Sequence, residues 1–370
     1  MIRIVLVISI IILVIVLAVF AFMQLPSFGS KPDGDRLERI KKSPNYRDGA
    51  FQNESYTPTF TGKEESRLSI IKKFLSKGER ARPKGAIPST KTDLLHLDPH
   101  ADVLVWFGHS SYFIQIDGKR ILVDPIFSGE AGPLPLPSLH AFKGTDRYTT
   151  DDLPAIDYLF ITHDHWDHLD YDTVNRLKKK VKRVICGLGV GAHLERWGYQ
   201  KRQIIEEDWN KEMTFENGFT VYVLPSRHFS GRSFTRNQTL WAAYVLETPT
   251  MRFFFGGDGG YDKHFAKIGK KFGHIDLAIL ENGQYNVNWK YIHMSPEETL
   301  QAAIDLKAKR LFPVHSSKFS LANHDWDEPL IRISKLCKDA KFPLITPIIG
   351  EQVNLKDSTQ HFREWWKGVK

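Results

Sequence analysis

The alternation of apolar and polar positions divides the chain into three textures. Ile4 to Met23 carries no charge and one polar residue, Ser9. Twenty such residues, each rising about 1.5 Å, cover the roughly 30 Å hydrocarbon core of a bilayer. Residues 1–25 are therefore expected to be a single-pass membrane anchor. A cleaved signal peptide would carry a shorter apolar region and a small-x-small cleavage site. Pro26 to Asp98 has no regular period. Pro, Gly and Ser punctuate it, as in SFGSKPDGDR and KGERARPKGAIPST, and residues 26–98 read as a linker plus an extension that wraps a core domain.

From Ala101 short apolar runs take over. Tyr112 to Ile116 alternates, Asp117-Gly118 is a two-residue hairpin turn, and Ile121-Leu122-Val123 follows. Further strands are expected at IDYLFI, VKRVICG, GFTVYVLP, LWAAYVLE, MRFFFGG, IDLAIL and RLFPVH. Helical texture falls on YDTVNRLKKK, on Asp262 to Lys271 and on SPEETLQAAIDLKAK. In the last of these Ser295 caps, Pro296 takes the first helical position and Glu298 completes a capping box. Early strands with helices between and after them predict an α+β domain, sheets covered by helices, over residues 99–350. Residues 351–370 read as a C-terminal tail.

The residues that close these strands carry the chemistry. His163 follows YLFI after one threonine, His228 follows VYVLP after Ser226 and Arg227, Asp258 follows FFFGG, and His315 closes LFPV. Strand ends gathered at one sheet edge are where sites are built. Within ITHDHWDHLD stand His163, His165, Asp167 and His168. In extended chain, residues two apart point the same way, so His163 and His165 can grip one cation while Asp167 and His168 face a neighbouring point. Imidazole nitrogen and carboxylate oxygen suit zinc and related divalent ions, and two nearby cations would need about this many groups. Asp164 is expected to face away and Asp170 to cap or support the next helix. His109, in FGHSS, and His293, in YIHMSP, are further candidates for the site. His193, His264, His274 and His324 read as structural or surface residues. Cys186 and Cys337 have neither metal-finger spacing nor a disulfide framework and read as buried thiols.

Charge adds a partner class. The formal net charge is +8, spread along the chain. It suits a membrane surface or a phosphate ester, and no nucleic-acid-binding motif accompanies it. Lys31, Arg36, Arg39, Lys41 and Lys42 follow the apolar span and only Arg3 precedes it, which leans toward a cytoplasmic body. Nothing in the sequence indicates an oligomeric state.

THDHWDHLD resembles the HxHxDH signature of the metallo-β-lactamase superfamily, and His228, Asp258 and His315 match its later ligand positions. WFGHSSYFIQIDGKRILVDPIF, LPSRHFSGRSFTRNQTLWAAYVLE and HMSPEETLQAAIDLKAKRLFPVHSSKFSLANHDWDEP resemble, more narrowly, the N-acylphosphatidylethanolamine-hydrolysing phospholipase D family, from roughly Leu95 to Pro347. The resemblance implies a metallo-β-lactamase αββα sandwich behind the N-terminal transmembrane helix, with two divalent metal ions, zinc foremost, at one edge. His163, His165 and His228 would hold one ion, Asp167, His168 and His315 the other, and Asp258 would bridge them. Asp124 and His109 would stand behind the ligands, and His293 near the substrate phosphate. Asp167 and His293 are the residues implied to be catalytic. The implied reaction cleaves N-acylphosphatidylethanolamine, a phospholipid, to N-acylethanolamine and phosphatidic acid. Phe229, Phe234, Trp241, Trp289 and Phe319 could line a groove for its acyl chains. The same metal chemistry also serves lactonases of the ascorbate-lactone type, nucleases and other phosphodiesterases. A non-catalytic, metal-stabilised membrane scaffold fits less well, because a structural metal is closed by four ligands and needs no second site.

Overall fold

The structure, a computed structural model, describes residues 2–61 and 77–369; the part of the wrapping extension at 62–76 lies outside them. Helix α1 (Ile2–Met23) is long and apolar enough to cross a membrane, and none of its side chains is buried in the protein.

Two sheets face each other. A separate short hairpin pairs β1 (Tyr46–Arg47) with β2 (Ala50–Phe51). The two larger sheets have seven and six strands. The first runs in the order β15 (Gln352–Asn354), β3 (Val103–Trp106), β4 (Tyr112–Ile116), β5 (Lys119–Val123), β6 (Ile156–Ile161), β7 (Val181–Gly187), β8 (Ile204–Glu207). The second runs in the order β14 (Leu311–Val314), β13 (Leu277–Glu281), β12 (Arg252–Phe255), β11 (Ala243–Glu247), β10 (Thr220–Leu224), β9 (Lys211–Thr214). The turn between β4 and β5 has Asp117 at φ 48° and Gly118 at φ 72°. Two positive φ values match the right-handed twist of the strands it joins.

Three apolar layers follow from this stacking. Ile114, Phe160, Tyr244, Phe255 and Phe312 fill the space between the sheets. Leu122, Leu159 and Val184 pack outward on Val174, Leu177 and Leu194, from the helices Tyr171–Leu177 and Gly191–Arg196. Phe254, Ala278 and Leu311 pack on Ile268, Ala303 and Ile333, from the helices His264–Phe272, Pro296–Asp305 and Glu328–Ala340. This is the expected αββα sandwich. Both faces of each sheet are covered, which is why IDYLFI and LAILE read as continuous apolar runs rather than alternating ones. The Ser295–Glu298 capping box forms as expected.

The edges of the chain correct the sequence reading. Residues 351–370 are not a tail: β15 pairs antiparallel with β3, and Trp365 and Trp366 join the layer between the sheets. Ile40, Phe51 and Ile87, from the extension, join it too. Part of the expected linker is therefore core. Trp366 is 1% exposed, so Trp366→Ala should cost about 3–5 kcal/mol in urea unfolding, the range for emptying a large core site. An unchanged midpoint would mean the C-terminal segment is peripheral after all.

Candidate metal centre

Loops leaving the strand ends meet at one edge of the sandwich. The loop after β6 brings His163, His165, Asp167 and His168; those after β10, β12 and β14 bring His228, Asp258 and His315. Close approach needs Gly257, where a Cβ would lie 2.7 Å from Cβ of Thr162, the residue before His163. His109 (φ 52°), Asp124 (φ 40°) and His315 (φ 65°) all occupy the left-handed region. Such backbone costs of the order of 1–3 kcal/mol per residue and persists only where the surroundings hold it. Here the loops after β3 and β14 lock each other: His109 N donates to Ser316 O at 3.0 Å and His315 N to His109 O at 3.1 Å.

The polar atoms form two groups around Asp258. In one, His165 Nδ1 lies 2.9 Å from His163 Nε2 and 3.2 Å from His228 Nε2. In the other stand Asp167, His168 and His315, with His109 beside them. Asp258 faces both. Its Oδ2 is 3.9 Å from His163 Nε2 and 4.0 Å from His228 Nε2, while its Oδ1 is 3.2 Å from His168 Nε2 and 3.1 Å from His315 Nδ1.

The far sides of His163, His168, His228 and Asp167 are engaged. Asp124, 1% exposed, accepts from Thr162 N (2.9 Å), Thr162 Oγ1 (2.6 Å) and His168 Nδ1 (2.8 Å). The Thr162 hydroxyl accepts in turn from His163 Nδ1 at 3.0 Å. His228 Nδ1 donates to Ile292 O at 2.9 Å, and His109 Nε2 donates to Asp167 Oδ2 at 3.0 Å. Each of these bonds fixes which nitrogen or oxygen is left to face the cluster.

Electrostatics shows what the cluster needs. Burial drives His163, His228 and His315 well below the ordinary imidazole value, and takes His165 to about 4. These rings are neutral at pH 7, with lone pairs to give. Burial also opposes charge on His168, yet Asp258, Asp167 and Asp124 outweigh it and push its value up. Burial raises Asp258. Both Nε2 of His168 and Oδ1 of Asp258 are buried without a hydrogen-bond partner of acceptable geometry. The protein has thus gathered neutral nitrogen lone pairs around the carboxylates of Asp167 and Asp258. His165 Nδ1, 2.9 Å and 3.2 Å from the nitrogens of His163 and His228, lies at the edge lengths of a coordination shell with roughly 2.0–2.1 Å bonds. The residues therefore fit two divalent ions, one in each group.

The other expected residues fall as follows. His293 sits beside the cluster, with Nδ1 2.7 Å from Glu281 Oε2 and its ring 5.4 Å from that of His315. Asp164 does face away: it is buried and accepts from Gly231 N at 2.7 Å and Thr239 Oγ1 at 2.9 Å. Asp170 accepts from Ser128 N and from the Thr173 hydroxyl inside the following helix. Among the five aromatics, Phe229 meets His165 edge to face at 4.4 Å between centroids. The expectation of a groove wall fails for Trp241 and Phe319, which are 1% exposed and part of the packed interior. Phe234 is 82% exposed and stands by the stem of α1 rather than at the candidate ligands.

Two contributors escape the sequence reading. Glu281, fully buried at the end of β13, holds His293 and accepts from Met294 N at 2.7 Å. A carboxylate closing an apolar strand was its signal, the same one that marks Asp258. Asn53, from the extension, grips the His228 backbone through Nδ2 to O (2.7 Å) and Oδ1 from N (3.1 Å). No local pattern announces it.

Known proteins share these features. Residues 119–316 match the family model described as Beta-lactamase superfamily domain. The chain is 38% identical over 332 residues to an uncharacterized protein of Mycobacterium tuberculosis, covering 88% of each. It is 28% identical over 274 residues to the N-acyl-phosphatidylethanolamine-hydrolyzing phospholipase D 1 of Caenorhabditis elegans, covering 66% of this chain and 74% of that one. In fold it is similar to a metallo hydrolase of Ignicoccus hospitalis, with a TM-score of 0.53 at 19% identity over 69% of this chain and 98% of that chain.

Because Asp124 aims His168, Asp124→Asn should weaken metal binding roughly 10–100-fold, read by competition with a chromophoric chelator. Undiminished affinity would show that Asp124 serves packing alone.

Proposed function

The chain belongs to the metallo-β-lactamase superfamily and is a metal-dependent hydrolase, and on that premise we propose that it cleaves N-acylphosphatidylethanolamine to N-acylethanolamine and phosphatidic acid. The observation that carries a binuclear site is Asp258, one oxygen toward each group of ligands. When bound there, two divalent ions, zinc foremost, supply an activated water and offset charge on phosphoryl oxygens.

The chain's own residues do the rest. His163, His165 and His228 present neutral nitrogens; Asp167, His168 and His315 add a second set, Asp167 held in aim by His109 and His168 by Asp124. Glu281 anchors His293 by Nδ1, leaving its second nitrogen to hold or pass a proton at the leaving oxygen of the ester. Phe229, against His165 and His228, offers an apolar wall to an acyl chain. The net charge of +8 favours an anionic phosphodiester, and α1 would keep the site beside a bilayer, where lipid is concentrated. The activity named for the relative from Caenorhabditis elegans supports this substrate class.

The test is incubation of zinc-loaded protein with a panel of N-acylated phospholipids and lactones. Release of N-acylethanolamine without lactone opening is expected. Asp258→Asn should lower the rate by more than about a hundredfold, beyond the usual loss for a residue one layer behind a metal. Lactone opening alone, or full activity of that variant, would overturn the reading.

A further inference from the structure

The stem that follows α1 lines a cavity of about 420 Å3, and its lining shares no residue with the candidate metal-binding groups. Met23, Phe28 and Lys31 line it from the stem, and Arg196 and Phe234 from the domain. Its cations are not neutralised by carboxylates. Lys31 Nζ donates to Thr235 Oγ1 at 3.0 Å, and Arg196 donates to the carbonyls of Gly29 (2.6 Å) and Gln24 (2.8 Å). Neither makes an ion pair among the described residues. The one carboxylate in the lining, Asp164, is buried and already engaged by Gly231, Thr239 and His193. Arg232 is engaged too, by the carbonyls of Ser27, Asp164 and Leu169.

We infer that this cavity binds the phosphate-bearing headgroup of an anionic membrane phospholipid, held by Lys31 and Arg196, with the lipid's apolar part against Phe234. A bilayer lipid is favoured over a soluble anion by position. The cavity begins at Met23, the last residue of the apolar helix, and Phe234 beside it is 82% exposed. Exposed aromatics and cations at the end of a span are suited to the headgroup level. The inference rests on the membrane anchoring in the proposed function, not on which ester is cleaved.

A lipid held there would bear on the back of the metal-bearing loop. Phe28 meets Trp166 edge to face at 5.0 Å, and the Arg232 guanidinium lies 3.9 Å over the same ring. Ser30 N donates to His193 Nδ1 at 3.0 Å, and His193 meets Asp164, between ligands His163 and His165. The cavity and the metal loop are thus tied through few side chains.

The test uses the full chain in vesicles of equal phosphatidylglycerol and phosphatidylcholine, neither the proposed substrate. After gentle extraction, native mass spectrometry reads the retained lipid. Phosphatidylglycerol should be retained with at least about fivefold preference, and Lys31→Gln with Arg196→Gln should abolish the preference. Lys31→Gln alone, which leaves the Arg196 contacts intact, should reduce it, so a folding defect in the double variant cannot decide the matter. Equal retention of the two lipids, or an unchanged preference in Lys31→Gln, would overturn the headgroup site. A chain that never partitions into vesicles would overturn the anchor and this site together; a chain that partitions without preference would overturn this site alone.

Discussion

One buried carboxylate governs the architecture of the edge. Asp258 is 4% exposed and presents its two oxygens to two separate groups of imidazoles. Burying a carboxylate is expensive unless charge answers it. Most neighbours cannot answer, because burial keeps His163, His165, His228 and His315 neutral. Divalent cations held between these groups would resolve the conflict: they would satisfy the lone pairs, offset the charge of Asp258 and Asp167, and remove the need to protonate His168. The strained backbone at His109, Asp124 and His315 is the local cost of bringing these groups together, and the packed sandwich bears it.

Much of this was legible because strand and site share one signal. An apolar run that ends in His or Asp marks both a strand and a group delivered to the sheet edge, so β6, β10, β12 and β14 and their ligands could be read together. Where the signal was present and passed over, the cause is specific. Glu281 ends LAILE as Asp258 follows FFFGG, but it sits within the strand itself. The helix Glu328–Ala340 has buried Leu330, Ile333 and Cys337 at helical spacing. Other pieces could not be read locally. β9 is an exposed edge strand and β15 only three residues long, so pairing with a neighbour, not periodicity, defines them. Asn53 acts on His228 across 175 positions, and only the fold brings them together.

The segments outside the matched family region are part of the working structure. The extension supplies core residues and Asn53; the C-terminal residues supply an edge strand and two buried tryptophans. The stem after α1 packs on Trp166, inside the ligand motif. The body and the apolar helix are therefore joined at the metal loop rather than by a loose tether. In such an arrangement the orientation of the site relative to a membrane would be set by the fold.

The geometry at the sheet edge would place Asp258 between two divalent ions. Diffraction from zinc-replete crystals, recorded on both sides of the zinc absorption edge, tests it most directly. The account predicts two anomalous peaks roughly 3.5–4 Å apart, one on the His163, His165, His228 side and one on the Asp167, His168, His315 side, with Asp258 between them. A single peak at full zinc loading, or two peaks of which neither touches Asp258, would contradict it.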